Sequence, residues 1–220
     1  MTSSFYEQIK GLSTTHFCDA GANRILTPLL KPMTNHSDMF GSVFTVSSFG
    51  DLLPIIRAIE SAPKKSVLMI TTNGSNKAVA GEIFATTAAK RGLAGIVIDG
   101  YCRDLSGIAK ANIPFFAKGI YPQAGTKEIE GQLNTPICIN NHLIRPGDFI
   151  LADESGLIVL DKNEISQLLP VAKTISLKEN SALEALQKPG FTLKDILNYE
   201  EHLKAIRNKE ESQLQWTVDL

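Results

Sequence analysis

"GIVIDGYCRD", residues 95–104, decides how the rest of the chain is read. Its first half, Gly95 to Ile98, is a short continuous apolar run of the kind a strand covered on both faces carries. Its second half places Asp99, Arg103 and Asp104 directly behind that strand. In an open α/β sheet the crevice at the carboxyl end of a strand is where ligands bind. Gly100 is expected to supply a tight turn that presents Arg103 and Asp104 there, leaving Asp99 a structural role at the strand terminus.

The flanks extend the same pattern. Upstream, "AGEIFATTAAKRG" reads as an alanine-rich helix stopped by Gly92, and "SVLMITT" as another buried strand. Before these, "GSVFTVSSF" has strand composition, and Asp51 is placed to cap a helix "LLPIIRAIE" that tolerates Pro54 in its first turn. Downstream, "RDLSGIAKAN" predicts a short helix and "IPFFAKG" a strand. This alternation is an α/β signature.

The pattern then changes. "TPICINNHLIRPGDFILADESGLIVL" supplies three or four short strands separated by antiparallel turn chemistry. Asp161 with Glu164 makes a capping box for a helix expected to be interrupted at Pro170 and to resume to about Gly190. Two short helices broken at Gly11 precede everything, the second capped by Ser13 or Thr14. Residues 1–190 form one expected domain; 191–220, with the only tryptophan, Trp216, form a C-terminal helix and tail.

Composition excludes several function classes. A chain of 220 residues with 43% hydrophobic and 20% charged content supports one well-buried core. The formal net charge of −1, with neither sign blocked together, argues against nucleic acid as partner. No apolar run reaches a membrane-spanning length and the N-terminus has no signal-peptide pattern, so a cytoplasmic protein is expected. Cys18, Cys102 and Cys138 are odd in number and far apart, as reduced thiols are. Dinucleotide, P-loop, zincin, nucleophile-elbow and EF-hand motifs are all missing.

The candidate site is therefore a constellation. Asp104 alone fits a helix cap, Arg103 alone a solvated surface residue, and Glu82 alone a first-turn carboxylate favouring the helix dipole. If the Glu82 helix and the strand before Arg103 pack as neighbours, all three approach one crevice. A carboxylate suits a hard cation, and a guanidinium suits a carboxylate or enolate oxygen. Cys102 lacks an evident base and reads as a small buried hydrophobe.

"GEIFATTAAKRGLAGIVIDGYCRD" resembles the hallmark segment of the RraA-like family, which contains the regulator of ribonuclease E activity A and the 4-hydroxy-4-methyl-2-oxoglutarate aldolases. "DAGAN", "GSVFTV" and "IRPGDFILADESGLIVL" resemble further family segments in the right order, over roughly residues 10 to 190. The resemblance implies a swivelling β/β/α-type α/β domain with a mixed sheet flanked by helices, assembled as homotrimers or hexamers with sites between subunits. It implies Mg or Mn held by Asp104, Arg103 on the pyruvate part of the substrate, Glu82 orienting water on the metal, and substrate contacts along Gly81, Glu82, Ile83 and Phe84. Glu179 is the best match to an acid donated by the adjacent subunit. The implied activity is a class II-type carbon–carbon lyase that releases pyruvate from a 4-hydroxy-2-oxo acid such as 4-hydroxy-4-methyl-2-oxoglutarate, with oxaloacetate decarboxylation. The alternative is a non-catalytic regulator that binds ribonuclease E. Asn73 departs from the family pattern, standing where an acid is common, and bears on substrate choice.

Overall fold

The computed structural model describes residues 2–217. Two short helices come first, α1 (Thr2–Ile9) and α2 (Thr14–Asp19), followed by β1 (Lys31–Pro32) and β2 (Met39–Ser47). An α/β stretch follows: α3 (Leu53–Ser61), β3 (Ser66–Thr71), β4 (Ala78–Ala80), α4 (Glu82–Arg91), β5 (Gly95–Cys102), α5 (Leu105–Lys110) and β6 (Phe115–Ile120). The last strands are β7 (Gln132–Leu133), β8 (Ile137–Ile139), β9 (His142–Ile144), β10 (Phe149–Asp153) and β11 (Gly156–Leu160), before α6 (Lys162–Leu186), a 3-10 turn at Leu193–Ile196 and α7 (Tyr199–Asn208).

One mixed sheet holds the molecule together, in the order β1-β6-β5-β3-β2-β10-β11. Its centre, β2, β3, β5 and β6, is parallel, and β10 and β11 add antiparallel strands at one side. The continuous apolar run of β3 and β5 is explained by cover on both faces. Ile70, Ile96 and Ile98 pack under α3 and α4 with Ile55 and Ala88, while Met69 and Val97 face Ile137, Ile139 and Ile144 of the β8–β9 hairpin. A third cluster seats α6 and α2 on the antiparallel side through Phe17, Ile165 and Leu169. The architecture is the expected β/β/α type, with helices flanking a mixed sheet and a C-terminal helix. Among the described residues no helix is long and apolar enough to cross a membrane.

Three expectations are corrected. Gly100 is not a turn, because β5 continues through it to Cys102. It lies where β3 leaves the edge of β5 and β4 takes over, and a Cβ there would lie 2.4 Å from the Thr72 methyl. Glycine is needed for close approach, not for left-handed backbone. Pro170 does not interrupt α6, which runs through it; Pro170 is on the exposed face, while Leu169 and Ala172 hold the inner face to the core. The strand β4 carries no strand-like composition and was not expected. Ser13, not Thr14, caps α2, in a capping box closed by His16.

Candidate functional site

The loops leaving β4 and β5 begin side by side. The backbone N–H of Arg103 donates to the carbonyl of Ala80 at 3.0 Å, tying the end of one strand to the other. From there α4 starts at Glu82 and α5 at Leu105, so the N-termini of both helices open onto the same cleft. Its lining includes Gly81, Ile83, Phe84, Arg103 and Asp104, with Leu52, Ala78, Ala80 and Ala124 as an apolar wall.

Asp104 does not cap its helix. It occupies the N-cap position of α5 at φ 60° and ψ 47°, and its carboxylate makes no capping hydrogen bond. Left-handed backbone at a non-glycine residue is costly, and Asp tolerates it better than most. Here it directs the carboxylate away from the α5 backbone and toward Gly81, where a Cβ would lie 2.5 Å from Asp104 Oδ2. Arg103 Nε is 3.5 Å from the same oxygen, and both side chains are about half exposed. Exposure at this level makes the pair weak as a stabilising ion pair and leaves both groups open to a ligand.

Glu82 reaches the same region from α4. Its carboxyl group packs over Gly107 of α5, where an added Cβ would lie 2.4 Å from the Glu82 carboxyl carbon. The two helices therefore meet through a carboxylate on a glycine. No side chain caps α4 at Gly81, so the N–H groups of its first turn, at Ile83 and Phe84, are the orphaned donors of a helix start and suit an anionic oxygen.

The chain thus brings together Gly81, Glu82, Ile83, Phe84, Arg103 and Asp104. It does not bring Glu179 to them: Glu179, on α6, accepts a 3.0 Å hydrogen bond from His16 Nε2 on α2. Cys102 is buried and donates weakly to the Gly119 carbonyl. Burial pushes its thiol up to about 11, against a backbone hydrogen bond that lowers it, and Asp104 adds to the rise. A thiol held protonated is a core residue, as the sequence suggested. Asn73 turns out to organise a loop, its Oδ1 accepting from Ser47 Oγ at 2.9 Å and the Phe49 N–H at 3.3 Å.

One residue behind the cleft was undervalued. Asp51 caps α3 through the Leu53 N–H at 2.8 Å, as expected, but its other oxygen accepts from Thr126 Oγ1 at 2.6 Å and from the N–H groups of Glu128 and Ile129 at 2.7 and 3.0 Å. It is fully buried. Burial alone would favour the neutral acid; the hydrogen bonds from Thr126, Glu128, Leu53 and Ile129 outweigh it and hold the carboxyl at about 2. Asp51 thereby anchors the loop that carries Ala124 to the start of α3 that carries Leu52. The signal in the sequence was only a helix cap; the partner loop lies some 75 residues away and has no periodic pattern.

Donor chemistry bears on a metal. A hard divalent cation such as Mg is commonly held by one or two carboxylates and keeps several waters. Asp104 offers one uncapped carboxylate beside open solvent, and among the described residues no group of three or more His, Cys, Asp or Glu forms a closed cage. The residues fit an open carboxylate-and-water site.

Known proteins resemble the chain over most of its length. An uncharacterized protein of Methanocaldococcus jannaschii is 32% identical over 87% of this chain and 93% of its own length. A protein of Halalkalibacterium halodurans with the provisional name 4-hydroxy-4-methyl-2-oxoglutarate aldolase is 33% identical over 77% of this chain and 82% of its own. The solved structure of the RNA-processing inhibitor RraA from Thermus thermophilus superposes with a TM-score of 0.63 at 29% identity, covering 67% of this chain and 91% of that one. The RraA-like family model, described as Aldolase/RraA, matches residues 14–159. The match spans both strands and both helix starts that build the cleft, and the chain belongs to the Aldolase/RraA family.

Proposed function

We propose that the chain is a divalent-metal-dependent carbon–carbon lyase that releases pyruvate from a 4-hydroxy-2-oxo acid. The observation that carries this reading is the Asp104 carboxylate, held in left-handed backbone without a capping bond and 3.5 Å from Arg103. A purely structural Asp at a helix start would cap it.

Each residue has a role under this reading. Asp104 would hold Mg or Mn, which supplies Lewis-acid polarisation of the 2-oxo carbonyl when bound. Arg103 donates charge-assisted hydrogen bonds to the oxygen on which enolate charge develops. The first-turn N–H groups of α4 receive the substrate carboxylate. Glu82 positions the water that takes the proton from the C4 hydroxyl as the C3–C4 bond breaks. The bonding pair moves into the enolate of pyruvate, the C4 fragment leaves as a carbonyl compound, and the enolate carbon takes a proton back. Oxaloacetate loses CO2 to give the same enolate, so its decarboxylation is a companion activity. Glu179 is proposed to act from a neighbouring subunit of a trimer or hexamer.

The second reading, a regulator that docks on ribonuclease E, draws support from the likeness to the RNA-processing inhibitor. It gives no reason for an uncapped Asp104 beside Arg103. A coupled pyruvate-release assay with and without Mg or Mn, alongside a ribonuclease E pull-down, separates the two: metal-stimulated pyruvate release supports the lyase, and capture without turnover refutes it.

A further inference from the structure

The wall of the cleft opposite the charged pair is aliphatic, and this bears on the fragment that leaves. Leu52, Ala78, Ala80, Phe84 and Ala124 line it. Their side chains offer no donor, and the backbone beneath them is already paired. Leu52 N–H donates to the Thr126 carbonyl at 3.0 Å, Ala78 N–H to the Gln123 carbonyl at 2.9 Å, and Gly125 N–H to the Ala78 carbonyl at 2.9 Å. The buried Asp51 carboxylate fixes the loop behind this wall from Thr126 to Ile129, so the wall is built to keep its shape.

Charge points the same way. Arg103 is the one cation among the residues lining the cleft, and it already faces Asp104. Glu82 adds a second acid at the edge. With a divalent cation counted, these groups leave one positive charge, which the single carboxylate of a 2-oxo acid neutralises. A second substrate carboxylate would meet aliphatic surface with no partner, and an unpaired buried charge is strongly disfavoured. A methyl or ethyl group would gain from the same contact.

Resting on the lyase reading above, we propose that this site takes 4-hydroxy-2-oxo monocarboxylates with a small alkyl group at C4, and discriminates against 2-oxo dicarboxylates. Cleavage of the C3–C4 bond then yields pyruvate and a short aldehyde or ketone; the hydroxyl proton leaves with the base, and the enolate carbon is protonated in return. The substrate class therefore differs from the dicarboxylate in the provisional name of the Halalkalibacterium halodurans relative. Oxaloacetate, whose C4 carboxylate would fall on the same wall, is turned over only with a high KM.

The test compares ligands of equal length that differ only at the far end. Binding of 2-oxopentanoate and 2-oxoglutarate to the full-length protein with Mg is measured by calorimetry, and cleavage of 4-hydroxy-2-oxopentanoate and 4-hydroxy-2-oxoglutarate by pyruvate release. The expected result is at least tenfold tighter binding and tenfold higher kcat/KM for the alkyl member of each pair. An Ala124→Arg variant that keeps its thermal unfolding midpoint is expected to narrow or reverse the preference. Equal or tighter binding of 2-oxoglutarate by the wild-type protein overturns the proposal, and a selective loss of that binding in Lys127→Ala would show that the exposed loop lysine supplies the missing cation. Pyruvate release with a dicarboxylate preference overturns this inference alone. No pyruvate from any of these substrates overturns the lyase reading with it.

Discussion

Gly81 and Asp104 are packed so closely that a methyl group on the glycine would lie 2.5 Å from the aspartate Oδ2. The glycine is needed for space: its φ of −160° is open to any residue. Gly81→Ala is expected to displace the Asp104 carboxylate and lower kcat/KM by about tenfold to a hundredfold, since misplacement of a reacting group by ~1 Å costs on that scale. Global stability should change by no more than about 1 kcal/mol. Steady-state kinetics and thermal unfolding, measured together, check both halves.

Asp51 ties stability to acid. Its folded-state carboxyl titrates at about 2, below the 3.8 of an unperturbed group. A depressed carboxyl contributes stability that is fully present above the unfolded value and is lost as pH falls through the folded one. The loss belongs to the interval from about pH 4 to about pH 2 and amounts to roughly 2 kcal/mol. Asp51→Asn should remove this part of the acid dependence and destabilise at neutral pH by about 1–3 kcal/mol, because an amide nitrogen would face backbone donors. Urea unfolding across pH 2–7 reads both.

The cysteines should separate by reactivity. Cys102 is buried with its thiol raised to about 11, Cys18 is half-buried and its thiol is raised by burial, with Asp19 and Asp153 adding to it, and Cys138 is exposed. Brief alkylation of the native protein at pH 7.5, followed by peptide mass spectrometry, should label Cys138 first and Cys102 only on unfolding.

Glu179 and Asp104 lie in different parts of one chain, the first paired with His16 and the second in the cleft. If the site is shared between subunits, Asp104→Asn and Glu179→Gln proteins, each impaired, regain activity when unfolded and reassembled together, to about a quarter of wild type or less. Absence of any regain would confine Glu179 to its contact with α2, where breaking the His16 pair costs about 1 kcal/mol or less.

The strands β3 and β5 and the helix α4 were legible because their signals are local: a continuous apolar run, alanine content and a C′ glycine at φ 74°. Arg103 and Asp104 were legible because a strand end followed by charge is itself a pattern. What escaped depends on distant parts of the chain. The role of Gly100 is set by Thr72, the continuity of α6 through Pro170 by the packing of its inner face, and Asp51's grip on residues 126–129 by a loop without periodicity. The three-residue strand β4, made of Ala and Val, is too short to announce itself, yet it carries Gly81 and Glu82 to the site.

The central claim is that Asp104 is the residue through which a divalent cation supports bond cleavage. The most direct measurement is the rate of pyruvate release by wild-type protein and by Asp104→Asn, each stripped with chelator and then titrated with Mg or Mn. Metal-dependent release by the wild type, with a loss of at least about a hundredfold in the variant at unchanged thermal stability, is the predicted result. Release that is independent of added metal, or that survives in Asp104→Asn, would contradict it.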